Sequence, residues 1–99
     1  MAKFGVYKNP EGTGFLLDIQ ADLLSHLNTR IVVPLIPLEV APTPADTLNP
    51  VFDIDGTAVS MVTQFMATVP TKLLKTKLLS LVDQREEITA AIDFLVQGF

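Results

Sequence analysis

Few side chains in this sequence are of the types that do chemistry, and their spacing limits what they can do. The single histidine, His26, has no serine or cysteine placed with it as a triad would require, and it reads as a surface side chain. Asp18 and Asp22 stand four residues apart. Such a pair could serve a metal or acid–base step, but separated carboxylates in an acidic chain read as solvated. Asp53-Ile54-Asp55-Gly56 opens like a calcium loop, yet the later ligands are missing, the closing glutamate among them. A hairpin turn centred on Asp55-Gly56 explains it better. Lys72, Lys75 and Lys77 are the only cationic group, and they read as keeping a connecting segment soluble. Glycine-rich phosphate loops are absent. No catalytic residue, metal site or cofactor is expected, which favours a binding protein over an enzyme.

The 99 residues fit one domain, 1–99, near the size at which a single core is only just sufficient. Hydrophobic residues make up 48% and charged residues 18%, more apolar surface than so small an interior should absorb. Some of it is expected in a subunit interface or a binding patch. A net charge of −4 with scattered cations leaves no footprint for direct nucleic-acid binding. Cysteine is absent, compatible with a reducing cytoplasm. The start, MAKFGVYKNP, lacks the apolar run of a signal peptide, and no segment reaches the roughly 18 apolar residues of a membrane span. A soluble, cytoplasmic protein with no membrane association is expected.

The elements that must position these residues are mostly strands. Lys3–Lys8 and Phe15–Ile19 flank the turn cluster Asn9-Pro10-Glu11-Gly12 and read as a hairpin. Ala21–Leu27 has room for one helical turn. Arg30–Leu35 (RIVVPL) has the β-branched density of a buried strand, with Pro34 confining that end to an edge or bulge. Four prolines between Pro37 and Pro50 predict a meandering loop. Val51–Ile54 and Thr57–Thr63 form a second hairpin, and Ala67–Val69 adds a short strand. From about Asp83 the period changes: Ile88, Ala91, Ile92 and Leu95 mark one helix face that Phe99 continues, with Glu86, Ala90, Asp93 and Gln97 opposite.

Taken together, FGVY (Phe4–Tyr7), LLDIQADLL (Leu16–Leu24), RIVVPL (Arg30–Leu35), LNPVF (Leu48–Phe52), MATVP (Met66–Pro70) and the terminal AAIDFLVQGF resemble the CcdB family along the whole chain. These are toxins of plasmid and chromosomal type II toxin–antitoxin pairs, serving plasmid maintenance, that poison DNA gyrase. The resemblance implies a mainly β fold, a small SH3-like barrel of antiparallel strands with one C-terminal α-helix, in a homodimer. It also implies two partners, the gyrase A subunit and a cognate CcdA-like antitoxin whose disordered tail wraps the toxin. Residue by residue, Gln97, Gly98 and Phe99 correspond to the tip that enters gyrase, with Leu23, Leu24 and Asp93 beside it. Gln97 stands where well-known members carry tryptophan, and Phe99 replaces an aliphatic residue. Losing an aromatic anchor is worth about 2 kcal/mol, roughly thirtyfold in affinity. Phe99 has a second placement open to it, folded back as the last core residue.

The dimer interface is expected near Met61–Phe65 and the N-terminal end of the helix, and the antitoxin rims at Lys8–Gly14 and Pro42–Asn49. Two other readings differ in class: an endoribonuclease of the MazF/Kid type, and a degenerate toxin that only captures antitoxin. Ribonuclease chemistry needs groups that hold phosphate and transfer protons, and the sequence offers no convincing set.

Overall fold

In the computed structural model, which describes residues 3–98, seven antiparallel strands form one curled, barrel-like sheet with a single α-helix at the C-terminal end. The strands are β1 (Gly5–Lys8), β2 (Phe15–Asp18), β3 (Thr29–Pro37), β4 (Val51–Ile54), β5 (Thr57–Met61), β6 (Ala67–Pro70) and β7 (Lys77–Ser80), followed by α1 (Arg85–Gln97). Their order is β4-β5-β3-β2-β1-β7, with β6 beside the first half of β3. The expected mainly β fold with one terminal helix is therefore what the chain adopts.

Register assigns the two faces. Val6 lies opposite Leu17 and Leu17 opposite Val33, while Leu35 faces Met61 and Phe52 faces Val59. These rows share the inner face and form the main core with Ile88 and Ala91 of α1. Residues one step along point the other way. There Tyr7, Leu16, Val32 and Leu74 form a second, smaller core. Asp18 and Arg30 follow the same alternation onto this second face, and both are wholly buried. The Asp18 expected in water is thus half of an internal ion pair, with Arg30 Nη2 and Nε donating to its Oδ2 at 2.7 and 2.9 Å.

Three other expectations change in the fold. Pro34 sits inside the central strand rather than at an edge. Its carbonyl accepts the Val62 N–H, so its nitrogen faces the seam where β3 passes from β6 to β5, and no ladder donor is missed there. The lysine-rich segment is not merely a connector, because Lys77–Ser80 is a strand paired with β1 through a bulge. Met61, Val62 and Thr63, expected at a subunit interface, are buried within the chain itself, leaving Gln64 and Phe65 exposed. The Asp55-Gly56 hairpin holds: both residues have positive φ (50° and 89°), and Gly56 N–H donates to Asp53 Oδ1 at 2.7 Å.

The ion pair generates two predictions. Asp18→Asn leaves a guanidinium buried without its counter-charge, and denaturant unfolding should show a loss of about 3–5 kcal/mol. Replacing both Asp18 and Arg30 with apolar residues of similar volume should cost less than either single change. Beside the pair, the Tyr7 phenol is held above its usual pKa, first by burial and then by the Asp18 charge, with Arg30 acting against both. A raised folded pKa of a neutral acid means that stability is unaffected below the ordinary value near 10 and falls as pH rises through the folded value. Alkaline unfolding followed beside ultraviolet phenolate absorbance should show that order, and Tyr7→Phe should flatten it.

Candidate partner-binding surface

The residues expected to meet gyrase lie on two elements. Leu23 and Leu24 sit on a 3₁₀ turn, Asp22–Leu24, and Leu23 is 91% exposed. An exposed leucine on so short a turn needs a rigid support, and hydrogen bonds supply it. Arg30 Nη2 donates to Gln20 O at 3.3 Å, Gln20 Nε2 donates to Leu24 O at 3.1 Å, and Gln20 Oε1 accepts from Ile31 N–H at 3.2 Å. Gln20 N–H itself donates to Asp18 Oδ1, and Asp22 Oδ1 accepts from Lys3 N–H. The buried pair therefore fixes the turn that presents the leucines.

Asp93 and Gln97 lie on the outer face of α1 and are exposed, as the helical period predicts. The inner stripe behaves differently from its expectation. Ile88 and Ala91 are buried and Ile92 partly so, but Leu95 is 40% exposed. Phe94 and Val96, which drew no attention in the sequence, are exposed too, Val96 to 72%. The helix packs on the 3₁₀ turns Thr63–Phe65 and Val82–Gln84 and sends Ile88 and Ala91 into the main core, while in its last turn Phe94 and Leu95 are more than half covered and Val96 is largely open. Gly98 closes it in the left-handed region (φ 79°), its N–H donating to Phe94 O at 2.9 Å. A side chain at 98 would meet open space, so the backbone angle, not crowding, calls for glycine. Phe99 lies outside the described residues. Among those described, the main packing partners of α1 are elements other than the Asp22–Leu24 turn.

The expected antitoxin rims are also distinct. The Lys8–Gly14 loop adjoins β7 around a groove of about 550 Å³. The Pro42–Asn49 loop is anchored by Asn49, whose Nδ2 donates to Met61 O and Gln64 Oε1 while its Oδ1 accepts from Ala45 N–H. Thr47 and Pro50 border α1 at Glu87 and Ala90. His26 is exposed beside Pro70, Thr71 and Lys72, and among the described residues no three acidic or histidine side chains are grouped to hold a metal. Nor is any helix among them long and apolar enough to cross a membrane. Of the two arginines, Arg30 is sealed in the interior, while Arg85 is exposed and donates to Val82 O at 2.9 Å.

Two solved structures share this architecture. One similar structure, an endoribonuclease in complex with its cognate antitoxin from mycobacterial species, aligns with a TM-score of 0.77 at 13% identity, covering 97% of this chain and 94% of that one. A second, an Mtb toxin, aligns with a TM-score of 0.68 at 13% identity over 95% of this chain and 99% of the other. At such identity the likeness concerns the fold alone. No curated protein sequence matches the chain. The family comparison reaches further, because the sequence matches the CcdB protein family over residues 3–98, nearly its whole length, and the chain belongs to that family.

Proposed function

We propose that this toxin of a toxin–antitoxin pair acts in the cytoplasm as a homodimer, binding the A subunit of DNA gyrase and poisoning it without an active site of its own. The observation that supports this most is the last turn of α1, where Val96 and Gln97 are exposed and Phe94 and Leu95 keep 38% and 40% of their surface open. An apolar helix end held rigid at its base suits insertion into a partner. Leu23 offers a second apolar contact on a turn fixed by hydrogen bonds. Phe65, which is 52% exposed, and the N-terminal end of α1 are the surface on which the homodimer reading now rests, since Met61–Thr63 are spent in the core.

Gln97 bears on potency. A glutamine there keeps the helix but supplies no aromatic anchor, so this toxin is expected to bind gyrase more weakly than members with tryptophan. A cognate antitoxin neutralises it by folding a disordered segment over the preformed toxin surface. The resemblance in fold to an endoribonuclease keeps RNA cleavage as the competing reading. Against it stand the interior placement of Arg30 and the groove around His26, which has no carboxylate or second histidine in its lining.

The decisive comparison is gyrase-mediated DNA cleavage beside RNA cleavage, using wild type, a variant lacking residues 97–99, and Gln97→Trp. The truncation should abolish any effect on gyrase while melting within a few degrees of wild type, since nothing it removes is part of the described core. Gln97→Trp should gain roughly thirtyfold in potency. A truncated protein that unfolds, with a tryptophan variant that gains nothing, would mark the tail as structural. RNA cleavage by the wild type would replace the gyrase reading.

A further inference from the structure

The sheet has open edges, and one of them differs in charge from the rest. β7 ends the strand path and pairs only with β1, so its outer backbone groups face no strand among the described residues. At the opposite end β4 carries Asp53, with Asp55 in its turn. Between Asp55 and Asp83 the chain has no acidic residue at all, and Lys72, Lys75 and Lys77 fall in that interval. Pairing then brings a further cation, because Lys77 lies opposite Tyr7 and Lys8 is the next residue of β1. Lys8 and Lys75 border the groove of about 550 Å³, with Gly12, Leu73 and Leu78 between them. Lys77, Leu78 and Ser80 are exposed along the strand itself.

The unpaired strand thus carries Lys77, with Lys75 just before it and Lys8 on the neighbouring strand, and no acidic residue in the segment. Lysines at an edge discourage two copies of the same strand from pairing. They favour an extended segment of opposite charge, which gains backbone hydrogen bonds along the edge and places alternate side chains on either side of it. The other expected antitoxin rim lacks this character: residues 38–50 contain Glu39 and Asp46 and no lysine or arginine.

We infer that β7 is a strand-addition site for an extended, acidic segment of the antitoxin, with Lys8, Lys75 and Lys77 pairing its carboxylates and Leu73 and Leu78 receiving an apolar side chain. This assignment rests on the toxin–antitoxin reading and adds to it the surface and the charge of the segment.

The test uses the purified full-length antitoxin encoded beside this gene, titrated by calorimetry into wild type, Lys75→Glu/Lys77→Glu and Lys75→Arg/Lys77→Arg, with amide hydrogen exchange followed across residues 77–80. Charge reversal should weaken binding by about tenfold or more at low salt, and arginine should keep it within about twofold. The β7 amides of the wild type should exchange more slowly in the complex. Lys8→Glu, outside β7, serves as an independent charge reversal if the double variant melts early. Antitoxin that binds all variants alike, or that leaves exchange at 77–80 unchanged, overturns the strand-addition site while the toxin–antitoxin reading stands. A neighbouring protein that binds none of the chains overturns both.

Discussion

Arg30 and Asp18 meet at 2.7 Å with neither side chain exposed. Burying two charges is costly unless their geometry is good and their remaining hydrogen bonds are made. Here the Asp18 carboxylate takes two bonds from Arg30 and one from the Gln20 N–H, and its backbone oxygen accepts the Phe4 N–H, while Arg30 Nη1 is buried without a hydrogen-bond partner among the described residues. Phe4 holds a positive φ of 73°, unusual for so bulky a residue, and its own carbonyl accepts Leu81 N–H. One carboxylate residue therefore ties together the chain start, the end of β2, the start of β3 and the approach to α1. The second core forms around it, and the segment 67–80 closes over that face with Val69 and Leu74.

That arrangement keeps the chain's buried ion pair away from its surface. In many small enzymes a buried arginine and carboxylate would line a cleft, but here they are sealed inside and act on the surface only through what they hold in place. Gln20 transmits their rigidity to the Asp22–Leu24 turn. The surface features left over include the partly exposed end of α1, Leu23 on its turn, and Lys75 before and Lys77 at the start of β7. Such features recognise other proteins.

The parts legible in the sequence were those governed by local rules. Asp55-Gly56 announced its hairpin because few residue pairs accept two positive φ angles, and α1 announced itself through the spacing of Ile88, Ala91 and Ile92. What escaped depended on distant partners. Asp18 reads as solvated until Arg30, twelve positions on, is brought beneath it by β2–β3 pairing. Lys77–Ser80 becomes a strand only because β1 offers it an edge. Pro34 is tolerated in a central strand because two different neighbours share that side of β3. On α1 the period correctly turned Asp93 and Gln97 outward, but it could not say where the sheet ends, so Leu95 was assigned to an interior that does not extend so far.

The central claim is that the end of α1 is a docking element rather than a piece of the core. It is tested most directly by placing a photo-crosslinking amino acid at Val96, which is 72% exposed, and irradiating the protein with purified gyrase. The account predicts a covalent adduct with the A subunit from position 96, and none from the same amino acid at Asp53 on the edge strand β4. Adducts of equal yield from both positions, or none from position 96 in a protein that still poisons gyrase, would contradict it.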